Sequence, residues 1–452
     1  MKQEFVSAVI VHRGVTSNGV FLVKRKNTQA HLRGYTTFPS GKIISQTQTL
    51  LDQCKVKFPD LKPRLSAALC RLVEKKLDIR LMDAWDLGIV SGIRYLGKDN
   101  GFDFPPYDWT THYVLIELNR RIPFEPVGKE LDSGRWIPPG RAMREFAEGT
   151  LLMEPSVRNL LEVMQYDLTA EAKEDFPLHI DHDHEVPWFE PLPGIIQMAP
   201  RACTFPPINR TNCFIVGDQG KRRYLVDPSP SGDDEYRKLS NTLMRHHWTD
   251  ILITHHHPDH TEQLARLVKD FPAPISIHPE ARRIITSKRG ADCLDGFDIN
   301  LVEDGDELTT WLGHPLRAYH LPGHSADQLG LAPENMAWFL VGDLILDKGT
   351  VIIPSEEGDM IDYLASLRRI IDLHPRVIFP SHGIGQGSPQ SLIETVTHRA
   401  FRERQVLVYH NKGLSPEEML KYIYPDLQAY VRPFALENIL SHITKLEREG
   451  KL

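Results

Sequence analysis

From residue 223 onward the apolar residues of this 452-residue chain alternate between two periods. Runs such as RYLVD (223–227), DILIT (250–254), AWFLVGD (337–343) and RVIFPSH (376–382) have strand length and end at a polar residue. The stretches between them carry apolar positions every three to four residues. DDEYRKLSNTLMRHH (233–247) has the spacing of an amphipathic helix, and in TEQLARLVKDF (261–271) Leu264, Leu267, Val268 and Phe271 share one helical face. Strands and helices in alternation predict an α/β domain. Near the N-terminus EFVSAVIVHR and NGVFLVKRK read as paired strands, and LSAALCRLVEKKLDI (65–79) as a helix. Near the C-terminus Ser415 and Glu418 predict a capping box with Pro416 at the first helical position. The last helix lines up Leu436, Ile439, Leu440, Ile443 and Leu446.

The pattern breaks over residues 177–207, which are crowded with proline and charge and show neither period. This break predicts a joint between 1–185 and 186–395, and with the tail 396–452, which differs in charge balance, three domains are expected. The HIDHDHE within it reads as a solvated connector, since it lacks the strand and turn framework that fixes a metal's geometry. Composition agrees with a globular chain too long for one core: 41% of residues are hydrophobic and 25% charged. No apolar run approaches bilayer length, so no membrane role is expected, and the N-terminus reads as a strand and not as a signal peptide. Five cysteines, an odd number without a CxxC pair, suit a reducing compartment and predict a cytoplasmic protein, with organellar import left open. Residues 186–395 carry 19 basic and 28 acidic side chains, whereas the segment before them is balanced and the segment after them slightly basic. An acidic middle offers no footprint for duplex nucleic acid and can neutralise bound cations.

That acidic segment holds the candidate chemistry. Directly after DILIT comes HHHPDH (255–260), in a loop between a strand's carboxyl end and a helix start, the usual place for a site in an α/β sheet. Side chains two apart in extended chain point the same way, so His255 and His257 can reach one cation while His256 faces elsewhere and should tolerate substitution. Pro258 bends the path and turns Asp259 and His260 toward a second cation. One loop cannot complete two coordination shells. Further ligands are required, and His324, Asp343 and His382 each stand at a predicted strand end. Imidazole and carboxylate ligands suit zinc, and less selectively manganese or iron. Two cations roughly 3.5–4 Å apart can share a water and bring its pKa near neutrality, which gives hydroxide for a hydrolytic attack. His278 and His320 read as packed histidines.

HxHxDH followed in order by His324, Asp343 and His382 resembles the metallo-β-lactamase superfamily, over residues 186–395. The resemblance implies an αββα sandwich binding two zinc ions. His255, His257 and His324 would hold the first metal, Asp259, His260 and His382 the second, and Asp343 would bridge them. Asp259 would also act catalytically by orienting the hydroxide, and Asp227 would be a buried aspartate supporting the histidine loop. With no cysteine among the ligands, the set is unlike that of the true zinc β-lactamases and is similar to that of glyoxalase II and the RNA-processing members. INRTNCFIV (208–216), GDLILDKGTVI (342–352) and the C-terminal tail resemble the β-lactamase-like protein 2 group, whose tail is a winged-helix domain. That tail reads equally well as a substrate-contacting module or as a packing or dimerisation appendage, so a homo-oligomer is left open.

The group's likeness implies either cleavage of single-stranded RNA or hydrolysis of acyl-coenzyme and acyl-carrier thioesters, and the sequence leans narrowly to RNA. A metal-binding regulatory or nucleic-acid-binding protein without turnover is the reading from another class. The N-terminal segment resembles a Nudix scaffold, an α+β domain, without its chemistry. Where the Nudix helix carries its arginine, glutamates and glycine, this chain has Cys70, Arg71, Glu74, Lys75 and Leu77, so Glu74 is the one surviving carboxylate and an inactive domain is expected.

Overall fold

The structure, a computed structural model, describes residues 3–14, 18–29, 32–99, 109–168, 181–204, 208–347 and 349–452. The chain divides into two compact units: residues 1–181 with 189–193, and residues 182–188 with 194–452.

The first unit is built on a mixed sheet. Its central strand Gln3–His12 runs antiparallel to Gly19–Arg25 and Ser40–Lys42 and parallel to Trp109–Leu118. The period-2 pattern of that strand sends Val6, Ala8 and Ile10 to one face, where helix Pro63–Leu77 packs with Leu65, Leu69, Leu72 and Val73. Val9 and Val11 go to the opposite face, against helices Pro139–Ala147 and Pro155–Met164. Glu74 is exposed and pairs with Arg80 at 3.6 Å, not with its lysine neighbours.

The second unit holds two facing sheets. In the first, strands Ile299–Leu301, Ile275–Ile277, Asp250–Leu252 and Tyr224–Val226 are parallel neighbours, and Cys213–Val216 and Ile195–Met198 extend it antiparallel. The second runs Glu307–Trp311, His314–His320, Leu329–Pro333, Phe339–Gly342 and Ile378–Pro380, antiparallel except for its last pair. Phe214 and Phe379 meet across the two sheets at 5.8 Å between ring centroids. Helices Gly232–Leu243 and Leu264–Asp270 cover the outer face of the first sheet through Tyr236, Leu239, Leu243 and Leu267. Helix Met360–Leu373 covers the second through Tyr363, Leu364, Leu367 and Ile370. The alternating pattern of the sequence thus yields a layered α/β architecture.

Two local expectations are corrected. TEQLARLVKDF is not one helix: a single turn over Pro258–Thr261 is followed by Gln263 at φ +60°, and the helix begins only at Leu264. Ser229 anchors that turn, its hydroxyl donating to Pro258 O and accepting from Glu262 N–H. The second concerns the last helix, whose packing is not only apolar; its region lies in the same compact unit as the sandwich and has a small core of its own. Helix Ser415-capped Pro416–Ile423 carries the expected capping box, and helix Arg432–Arg448 buries Ile439 and Leu446 with Val406 and Met419. The same helix also buries Asn438, Ser441, His442 and Lys445, polar positions that an apolar periodicity does not display. Asp181–His184 are exposed and belong to no metal-capable group among the described residues, while His179 and Ile180 lie outside those residues.

The loop bearing His324 is set by Gly323, whose φ is +140° and whose added Cβ would stand 2.2 Å from Tyr363 Cα. Backbone atoms cannot yield to such a contact. Gly323→Ala is expected to lower unfolding stability by at least about 2 kcal/mol in urea titration. Gly140→Ala, where the nearest atom is 4.0 Å away, should be close to neutral. Equal effects of the two substitutions would contradict the close-approach argument.

Candidate metal centre

Every predicted ligand follows a strand: residues 255–260 follow Asp250–Leu252, His324 follows His314–His320, Asp343 follows Phe339–Gly342, and His382 follows Ile378–Pro380, while the supporting Asp227 follows Tyr224–Val226. Strand ends on one edge of two facing sheets converge, and the seven side chains fall into two groups. His255, His257 and His324 form one, and Asp259, His260, Asp343 and His382 form the other.

Within the first group His257 Nδ1 stands 3.0 Å from both His255 Nε2 and His324 Nε2. The partners of the outward nitrogens decide what these inner atoms are. His324 Nδ1 lies 2.8 Å from Ile352 O, and a carbonyl can only accept, so Nδ1 carries the proton and Nε2 a lone pair. Thr254 donates its hydroxyl to Asp227 Oδ2 (2.7 Å) and therefore accepts from His255 Nδ1 at 3.1 Å. His257 donates Nε2–H to Glu357 Oε2 at 3.3 Å. All three inner nitrogens are lone pairs crowded together, an arrangement that a shared cation stabilises and that neutral imidazoles alone do not.

The second group repeats the logic. His260 donates Nδ1–H to Asp227 Oδ2 (2.8 Å), and His382 donates Nδ1–H to Arg210 O (2.9 Å). Their Nε2 atoms face inward, with His382 Nε2 3.4 Å from Asp343 Oδ2 and 3.5 Å from Asp259 Oδ2. His260 Nε2 and Asp343 Oδ1 lie 3.6 Å apart, and both are buried without a hydrogen-bond partner among the described residues. Two orphaned polar atoms aimed at one point fit a missing cation. Asp343 Oδ2 is also 3.7 Å from His324 Nε2, so this carboxylate faces both groups.

The electrostatics separate the two halves. Burial, reinforced by neighbouring imidazoles, holds His255 well below the usual imidazole range and His257 down at about 4, so both stay neutral as ligands. Burial acts in the same direction on His260 and His382 but is outweighed: Asp259, Asp227 and Asp343 hold His260 well above its ordinary value, and Asp343 and Asp259 raise His382. Burial would raise Asp343, yet His382 and His260 hold it well below the carboxylate range. The carboxylates here demand positive charge, and in the metal-free protein protons supply it.

His256 faces away from both groups, as strand alternation predicts, but it is a buried part of the frame. Its N–H donates to Asp327 Oδ2 (2.8 Å) and its Nδ1–H to Asp327 Oδ1 (3.0 Å). It also stands with His257 and Glu357 in a third metal-capable group, where Lys288 Nζ lies 3.2 Å from His256 Nε2 and pairs with Glu357, so an ammonium already takes the place of a cation. His278 and His320 stack at 4.0 Å with rings 12° apart, and His320 bonds Ala326 O, which matches their reading as packed histidines. Sequence reasoning missed Asp327, Glu357 and Lys288. Asp327 sits three residues after His324 in a stretch already singled out, but nothing in its spacing distinguishes an acceptor for a backbone N–H. None of the five cysteines joins a metal-capable group among the described residues.

Residues 207–382 match the family described as the metallo-beta-lactamase superfamily, and residues 415–452 match the beta-lactamase associated winged helix domain. The beta-lactamase-like protein 2 homolog of Drosophila melanogaster is 30% identical over 273 residues, which are 54% of this chain and 84% of that protein. The atrochrysone carboxyl ACP thioesterase of Passalora fulva is 28% identical over 285 residues, 58% of this chain and 80% of the relative. A beta-lactamase domain protein from Burkholderia ambifaria has a similar fold, with a TM-score of 0.50 at 18% identity over 58% of this chain and 88% of that one. With a two-part histidine and aspartate cluster at the strand ends of paired sheets, and a relative matched over most of its length, the chain belongs to the metallo-β-lactamase superfamily.

Proposed function

We propose that the chain is a two-metal hydrolase and that its substrate is an acyl thioester of a coenzyme or carrier protein. The observation that carries the hydrolase reading is the sharing of Asp343 between two groups of inward lone pairs and carboxylate oxygens. His255, His257 and His324 would hold one cation, Asp259, His260 and His382 the other, with Asp343 between them. Zinc suits this imidazole-rich set, with manganese or iron as the alternatives. When bound, the cations supply an acidified water as nucleophile and positive charge toward the developing oxyanion. The protein supplies the geometry, because the partners of the outer nitrogens fix each imidazole's tautomer and aim. Asp259 is the more open of the two inner carboxylates, 15% exposed against 10% for Asp343, and can orient that water and accept its proton.

The choice of thioester over RNA rests on charge at the reacting centre. Glu357 bonds His257 at the rim of the site, and residues 186–395, which supply every ligand, carry an acidic excess. An RNA phosphodiester brings its own anion into that field. A carrier thioester presents a neutral carbonyl on a long arm and keeps its phosphates at a distance. The thioesterase relatives support the same reading. Cleavage of single-stranded RNA is the second reading, supported by the winged-helix match and the slight basic balance of residues 396–452. We assign no chemistry of its own to the N-terminal segment, whose exposed Glu74 pairs with Arg80.

The purified protein is expected to bind two equivalents of zinc. His257→Ala should remove one and abolish turnover. His256→Ala should keep both and instead cost about 1–3 kcal/mol of stability, because Asp327 loses a buried partner. Identical metal loss in the two variants by elemental analysis would count against the assignment of inward and outward histidines. Asp343→Ala should cost more than one equivalent, and full retention of both would remove the shared carboxylate from the account. The substrate is tested by assaying zinc-loaded and metal-stripped protein on acyl-coenzyme A and on single-stranded RNA. Metal-dependent hydrolysis of the thioester is expected, and metal-dependent cleavage of RNA alone would reverse the choice.

A further inference from the structure

Helix Arg432–Arg448 buries two polar side chains that its packing alone does not require, beside a third from a neighbouring helix. Asn438 Oδ1 accepts from Ile353 N–H (3.0 Å) and from Arg399 Nη1 (3.0 Å), and its Nδ2 donates to Val351 O (3.4 Å). Ser441 donates its hydroxyl to Ile353 O at 2.6 Å. Arg399, from helix Gln390–His410, also donates to Val351 O. All three side chains are buried, Arg399 to within 1% and the other two to within 5% of full burial. Together they bond the backbone on both sides of Ile352, and it is the Ile352 carbonyl that accepts from His324 Nδ1.

The same helix holds the rest of that loop. Glu437 accepts from Ser355 N–H (2.9 Å) and Ser355 hydroxyl (2.7 Å), and Arg448 pairs with Asp359. Asp359 N–H in turn donates to Gly323 O, one residue before His324, and Gly358 packs so closely that an added Cβ would meet Gly323 O at 2.8 Å. Between these anchors Glu357 reaches His257 Nε2. Two of the three histidines of the first group therefore take their outer hydrogen bonds from one loop, Val351–Asp359, and that loop is bonded to the C-terminal helix at four side chains.

We infer that the C-terminal helix is a positioning element for the first metal group, acting through Asn438 and Ser441 on the Val351–Ile353 backbone that aims His324. This rests on the two-metal reading above. It gives the tail a role distinct from substrate contact or dimerisation. A carbonyl held on both sides is a fixed acceptor, and a fixed acceptor sets the ring plane and the direction of the Nε2 lone pair. Outer partners of this kind contribute roughly 10- to 100-fold to metal affinity.

The test uses the full-length protein, titrated with zinc against a competing chelator and with cobalt(II) followed by its visible spectrum. Asn438→Ala should remain folded by circular dichroism and bind one of its two zinc ions roughly 10- to 100-fold more weakly, with the second unchanged and the cobalt spectrum of one site altered. Glu447→Gln, exposed on the same helix, should leave both affinities as in the wild type. Unchanged affinity for both metals in folded Asn438→Ala overturns the inference, and so does equal weakening of both. Should Asn438→Ala fail to fold, Ser441→Ala decides: a smaller loss confined to one metal supports the inference, and wild-type binding of both refutes it. Failure of the wild type itself to bind two zinc ions would refute the two-metal reading instead, so the two failures are distinct.

Discussion

A buried carboxylate that must be satisfied governs this site. Asp227 is 1% exposed, and an isolated charge there would be costly. Its Oδ1 takes the N–H of Thr254, and its Oδ2 takes the hydroxyl of Thr254 and the Nδ1–H of His260. Those three bonds tie the end of strand Tyr224–Val226 to the loop after its neighbour Asp250–Leu252. Through Thr254 they reach His255 in the first group, and through His260 they reach the second. Asp227 itself adopts φ +51°, a left-handed conformation held against its cost by these bonds. One aspartate thus sets the tautomers of a ligand in each half of the centre.

The rest of the frame extends the same principle outward. Asp327 holds His256 and the backbone of the histidine loop, Arg210 O aims His382, and Ile352 O aims His324. Asn212 does for the loop of His382 what Asp227 does for the histidine loop, its amide donating to Pro380 O (2.8 Å) and Gly383 O (2.6 Å). Each ligand histidine keeps a protonated nitrogen outside and turns the other inward, where in the second group a cation would take the place of a proton. The centre is organised before any cation arrives, which lowers the cost of binding one.

What could be read from the sequence follows from where the physics is local. Strand alternation separates His256 from His255 and His257, and strand ends followed by His324, Asp343 and His382 stand out against their apolar runs. The groups that aim these ligands are not local. Ile352 O and Arg210 O are backbone atoms with no signature in the residue type, and Glu357 stands in a loop without periodicity. Asn438 and Ser441 are interleaved with Leu436, Ile439, Leu440 and Ile443 on a helix whose apolar spacing reads only as packing. The polar side chains that join the last helix to the sandwich leave no mark in composition. The break at Gln263 was likewise hidden, since TEQLARLVKDF has helical spacing whether or not its first turn is continuous.

The two-metal reading requires one cation on each side of Asp343. Crystals of the zinc-loaded protein, measured on both sides of the zinc absorption edge, would locate them. Two anomalous peaks are expected roughly 3.5–4 Å apart, one within about 2.0–2.1 Å of His255 Nε2, His257 Nδ1 and His324 Nε2, the other against Asp259, His260 and His382. A single peak, or a peak between His256 and Glu357 with the inner nitrogens vacant, would contradict it.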